Sequence, residues 1–98
     1  MEKRTYLTIL YDYYSGLLNE RQKEYFESYY FNNLTLKEIS ENLNISRNAV
    51  HKTIKKVEEK LECYEKILKM YERGLKLSNI IEKIDNNEIK NEIKDLEY

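Results

Sequence analysis

The chain has 98 residues, a formal net charge of −1, ten tyrosines, two glycines, one cysteine, one histidine and no proline. That length allows one domain, and so little chain punctuation favours long helices, so an all-α fold is expected. Cys63 alone supplies neither an internal disulfide nor a metal site, and no apolar run reaches a membrane span. The N-terminus lacks the apolar stretch of a signal peptide, so a cytoplasmic protein is expected. No enzyme, cofactor or metal is expected either, because there is no Gly-rich phosphate loop and no acid/base pair distinct from surface charge.

A first helix is predicted over residues 3–18, with Leu7, Leu10, Tyr14, Leu17 and Leu18 on one face. Asn19 and Gln22 then have the Ncap and N3 spacing of a capping box and open a second helix. It runs to about Phe31, offers Tyr25, Phe26, Tyr29 and Tyr30 for burial, and stops at Asn32-Asn33. The tyrosines read chiefly as core and boundary packing, with base stacking as the alternative use.

Residues 35–56, TLKEISENLNISRNAVHKTIKK, carry the most information. Thr35 and Glu38 form another capping box, and Leu36, Ile39 and Leu43 follow at helical spacing. Asn44 tolerates the left-handed backbone of a sharp turn, with the small Ser40 four residues earlier where two helices cross. Ile45 fills the angle, Ser46 caps the next helix, and Ala49, Val50 and Ile54 form its buried stripe. This is a helix-turn-helix. Residues 47–56 hold four basic and no acidic groups, whereas the segments on either side are net acidic. Arg47, Asn48, His51 and Lys52 are therefore candidates for base edges, and Ser46, Lys55 and Lys56 for phosphates.

Val50, Ile54, Val57, Leu61, Tyr64, Leu68, Tyr71 and Leu75 continue at alternating spacings of four and three, a heptad seam. The recognition helix is thus predicted to run on to Arg73 and to break or kink at Gly74. A final helix begins near Leu75, with Leu77, Ile80, Ile81 and Ile84 on one face. Asp85-Asn86-Asn87 interrupt it before Ile89, Ile93 and Leu96. The seam packs either within one chain or against a second copy, and a homodimer is the favoured expectation. Residues 1–75 then form the DNA-binding unit and residues 76–98 a helical tail.

The run from Leu18 to Leu61 resembles the C-terminal helix-turn-helix of bacterial sigma factors. Leu18 followed by Glu20-Arg21-Gln22, then Leu36, Glu38, Ile39, Leu43, Ile45, Ser46 and Val50, carries that sigma region 4-like pattern. With the tyrosine-rich helices before it and Tyr64-Glu65-Lys66 after it, the chain looks like a member of the YlxM family. These are small helix-turn-helix proteins of low-GC Gram-positive bacteria, usually encoded beside the signal recognition particle GTPase. The resemblance implies a winged-helix-like, DNA-binding regulator acting in the signal recognition particle pathway, without sigma activity. An adaptor binding the RNA or protein of that particle is the alternative, with DNA the more expected nucleic acid. Ser40 and Asn44 stand where sigma factors have Ala and Gly, and His51-Lys52 replace their Arg-Gln, so no target sequence carries over.

Overall fold

The computed structural model describes residues 1–96, which form six α-helices and one 3₁₀ turn. No strand occurs among these residues, so the chain is all-α and the described part has no wing. Helix α1 (Lys3–Tyr14) ends in a 3₁₀ turn (Ser15–Leu17) and is followed by α2 (Glu20–Tyr30) and α3 (Leu36–Leu43). Then come the long α4 (Arg47–Leu68), α5 (Met70–Glu82) and α6 (Asn87–Asp95).

Both expected capping boxes form. The Asn19 side chain accepts the Gln22 N–H at 2.8 Å, and the Gln22 side chain accepts the Asn19 N–H at 3.0 Å. Thr35 and Glu38 exchange the equivalent pair, each at 3.1 Å. Each box satisfies two of the N–H groups that a helix start leaves without partners. The first helix is shorter than predicted: the tighter turn after Tyr14 leaves Leu17 54% exposed while Leu18 is buried. Tyr11, absent from the predicted face, is buried in its stead and stacks on Phe26 with centroids 4.5 Å apart.

The core has two parts. Leu7, Leu10, Tyr11, Tyr14 and Leu18 pack with Phe26, Val57 and Leu61, while Tyr25 packs with Ile39, Val50 and Ile54. Helices α2 and α4 contribute to both, so they tie the helix-turn-helix to α1. Arg4 locks the same junction from outside. Its guanidinium donates to the carbonyls of Tyr29 and Tyr30 at 2.9 and 3.3 Å, ending α2, and lies 4.7 Å from the Tyr30 ring centroid.

Helix α4, the predicted recognition helix, does not continue to Arg73. It stops at Leu68, and Lys69 adopts φ 56°, ψ 33°, a left-handed backbone. Gly74, the predicted break, lies inside α5 against Tyr13, where an added Cβ would stand 2.8 Å from the Tyr13 hydroxyl. The reason is chemical. Met70, Tyr71 and Glu72 at the start of α5 have N–H groups to satisfy. Tyr71 and Glu72 donate to the Glu65 carboxylate at 3.1 Å each, and Met70 donates to the Tyr14 hydroxyl at 3.0 Å. Tyr14 in turn donates to Glu65 at 2.5 Å. A new helix can therefore begin, and Tyr71 packs beside Tyr6 and Tyr13, at centroid distances of 5.9 and 6.2 Å. Within the chain the heptad seam is buried as far as Leu61, and Tyr64 and Tyr71 also pack on α1, but Leu68 and Leu75 remain 43% and 49% exposed.

The predicted interruption at residues 85–87 is present: Asn86 caps α6 by accepting from Glu88 and Ile89 at 2.9 and 3.2 Å. The preceding helix starts at Met70 rather than near Leu75, and of its predicted apolar face Ile81 is buried while Ile80 is exposed. The end of the predicted tail, residues 97–98, lies outside the described residues.

Two outcomes follow from the Glu65 cluster. Glu65→Ala leaves two α5 N–H groups and the Tyr14 hydroxyl without their acceptor, so urea denaturation is expected to show a loss of about 2–4 kcal/mol. Unchanged stability would mean that the cluster does not hold the bend. The second outcome concerns pH. Burial, together with the bond to Glu65, pushes the Tyr14 phenol up to about 12, and burial with Glu27 and Glu58 moves Tyr11 and Tyr30 the same way. A raised native value favours the neutral phenol, so the associated stability is whole below pH ~10 and falls as pH rises through the native value. Thermal melts should therefore lose midpoint above about pH 10, with the late tyrosinate absorbance appearing as the protein unfolds.

Candidate nucleic-acid interface

The turn between α3 and α4 is built as its sequence predicts. Asn44 takes φ 55°, ψ 46°, and its N–H and that of Ile45 both return to the Ser40 carbonyl. Ser40 is buried, and its hydroxyl is absorbed by the Lys37 carbonyl at 2.7 Å, so a small polar residue fits the helix crossing. Ser46 Oγ accepts the Ala49 N–H at 3.1 Å. Its lone-pair side is thus engaged in the cap, and its O–H is left as the group that could reach a phosphate.

Val50 and Ile54 turn one side of α4 into the core, with exposures of 0% and 3%. Helical periodicity then fixes the other side. Ser46, Arg47, Asn48, His51, Lys52, Lys55 and Lys56 are all exposed, so the fold leaves every predicted contact residue open to solvent. They form two adjacent stripes at four-residue spacing. Arg47, His51 and Lys55 make the one nearer α1, and Asn48, Lys52 and Lys56 the other. Past Lys56 the character reverses: Glu58, Glu59 and Glu62 follow on the same helix. The basic surface is confined to its first three turns.

Sequence reasoning missed two residues beside this surface. Lys3 and Arg4, about fifty positions earlier in the chain, line a groove of about 320 Å³ together with His51 and Lys55. Its base and walls include Leu7, Leu36, Ile54, Tyr29 and Tyr30. Two basic residues at a helix start gave a weak signal, and only the packing of α1 along α4 brings them to His51.

The elements thus define a helix-turn-helix protein: two short capped helices, a left-handed turn and a third helix whose outward side is basic. The chain belongs to the UPF0122 family, described as "Putative helix-turn-helix protein, YlxM / p13 like", whose model matches residues 1–97. It is 44% identical over 79 residues to the UPF0122 protein of Thermoanaerobacter sp. strain X514, covering 81% of this chain and 68% of the relative. With the UPF0122 protein of Ureaplasma parvum serovar 3 it shares 39% identity over 94 residues, 96% of this chain and 95% of the relative. No described helix is long and apolar enough to cross a membrane.

The turn offers a direct check on this geometry. Asn44→Gly should keep the thermal midpoint within a degree or two, because glycine adopts the left-handed conformation freely. Asn44→Ile should cost about 1–2 kcal/mol, roughly 4–8 °C per kcal/mol for a domain of this size. Equal melting of both variants would contradict the turn.

Proposed function

We propose that this protein is a DNA-binding, helix-turn-helix transcription regulator that works as a cytoplasmic homodimer in the signal recognition particle pathway. The observation that carries the reading is the exposed side of α4 from Arg47 to Lys56, which has four basic groups and no acidic one in a chain of net charge −1. Charge segregated onto the helix that a helix-turn-helix presents to the major groove is the electrostatic footprint of duplex recognition. Asn48 and Lys52 have the side chains that read base edges, with Arg47 and His51 beside them. Ser46, Lys55 and Lys56 supply phosphate contacts. The link to the signal recognition particle rests on the gene neighbourhood implied by the family resemblance.

The binding unit is residues 1–75, and exposed apolar side chains from the end of α4 onward supply the pairing surface. Of the large apolar side chains that remain exposed, Met1, Leu17 and Phe31 precede the recognition surface, and the larger group, Ile67, Leu68, Leu75, Ile80, Ile89 and Leu96, follows it. A two-fold dimer suits a palindromic site whose half-sites lie about 34 Å apart.

A second reading is favoured by the acidic second half of α4 and the net charge of −1, which weaken non-specific attraction to a polyanion. In that reading the same basic side chains serve an adaptor that binds RNA or protein of the particle.

Replacing Arg47 or Lys52 with Ala should weaken duplex binding by about 1–3 kcal/mol with helix content unchanged. Salt titrations against duplex DNA and against structured RNA separate the readings: tight RNA binding with weak, salt-sensitive DNA binding favours the adaptor. For pairing, Leu68→Glu combined with Leu75→Glu changes two exposed positions and should convert a dimer to a monomer in sedimentation equilibrium. A wild type that is monomeric at micromolar concentration removes the homodimer and the palindromic site with it.

A further inference from the structure

We propose that the groove between the start of α1 and the first half of α4 holds one sugar–phosphate strand of duplex DNA, with Lys3 as an additional phosphate-binding residue. The proposal rests on the DNA-binding reading above and extends its surface beyond the helix-turn-helix to α1. The groove is bounded on one side by His51 and Lys55 and on the other by Lys3 and Arg4. It therefore continues the Arg47, His51 and Lys55 stripe sideways, away from the outer stripe of Asn48, Lys52 and Lys56.

Its lining carries two net positive charges with His51 neutral, against −1 for the whole chain. The one carboxylate there, Glu58, accepts the Tyr30 hydroxyl at 2.5 Å. Arg4 is held by the Tyr29 and Tyr30 carbonyls and by the Asn33 side chain at 3.4 Å, so this wall is formed before any ligand arrives. Lys3 is different. Among the described residues it pairs with Glu62 at 3.8 Å, between side chains 67% and 45% exposed, a contact that contributes little and exchanges readily for a phosphate. The part-exposed Leu36 at its base, over the buried Leu7 and Ile54, gives the groove an apolar floor that suits the sugar side of a strand better than a fully hydrated ion.

This placement changes the role of His51. A side chain that shares the groove edge with Lys55 contacts the backbone, which leaves base reading to Asn48 and Lys52 with Arg47 at the helix start. Lys3 then belongs to the sequence-independent part of binding, which salt weakens most.

The test is the salt dependence of binding to a short mixed-sequence duplex DNA, measured for wild type and for Lys3→Ala, Lys52→Ala, Lys55→Ala and Lys76→Ala. Lys76 on α5 pairs with Glu72 at 3.5 Å, away from the groove, and serves as the control. Lys3→Ala should lower the slope of log affinity against log salt by about 0.9, as Lys55→Ala does, and Lys3→Arg should restore it. Lys76→Ala should leave the slope at the wild-type value. Circular dichroism melts equal to wild type establish that the α1 start still packs. A wild-type slope for Lys3→Ala beside a lowered slope for Lys55→Ala overturns the groove and leaves the DNA-binding reading standing. Wild-type slopes for Lys52→Ala, Lys55→Ala and Lys3→Ala together overturn both.

Discussion

The Glu65 carboxylate accepts a hydroxyl from α1 and two N–H groups from α5 while it sits on α4, so one buried side chain joins three helices. A carboxylate removed from water is tolerated only when its lone pairs are occupied, and here three donors do so. The same bonds start α5. Without acceptors for Met70, Tyr71 and Glu72 the chain would gain nothing by leaving the α4 axis, and the left-handed Lys69 would be an uncompensated strain. The bend directs Tyr71 onto α1 between two other tyrosines, which closes the end of the bundle opposite the basic surface of α4. The abundance of tyrosine thus has a structural use: long aromatic side chains span helix gaps and end in hydroxyls that reach buried or bordering carboxylates, as Tyr11, Tyr14 and Tyr30 do.

The parts of the fold that were legible in the sequence are those fixed by local chemistry. Asn19, Thr35 and Ser46 each cap the helix that they open, and Asn44 makes the left-handed turn, because capping and turn geometry depend on residues three or four apart. The same locality exposed all seven predicted contact residues, since an amphipathic helix with Val50 and Ile54 inside has no other side on which to place them. The end of α4 was not legible. The apolar spacing through Leu68, Tyr71 and Leu75 obeys a heptad, and a heptad says nothing about a hydrogen-bond acceptor supplied by Tyr14 more than fifty positions away. Gly74 misled for a related reason: its lack of a Cβ admits the Tyr13 hydroxyl and is not used for backbone freedom. The groove at Lys3 and Arg4 was hidden in the same way, because α1 lies beside α4 only once the two core clusters have formed.

The exposed basic surface of α4 and the scaffold share few residues, and this sharpens what substitutions can report. Arg47, Asn48, Lys52, Lys55 and Lys56 are exposed and outside the two core clusters, so changes there alter charge and contact with little change in packing. Ser46 is the exception, being both cap and candidate contact. Arg4 is similar in the groove wall, where its guanidinium ends α2 and its charge adds to the potential beside Lys3.

Helix α4 also behaves mechanically as a single strut. Its 22 residues contain no glycine, no proline and no left-handed residue before Lys69, so it has no hinge of its own. Arg47 and Glu65 stand at opposite ends of this strut, about 27 Å apart at 1.5 Å per residue. A tilt of about 10° pivoting on the Glu65 end would sweep Arg47 through about 5 Å, more than the spacing between neighbouring base pairs. The carboxylate cluster at the far end is therefore a fulcrum, and its rigidity sets how accurately the basic end can be aimed.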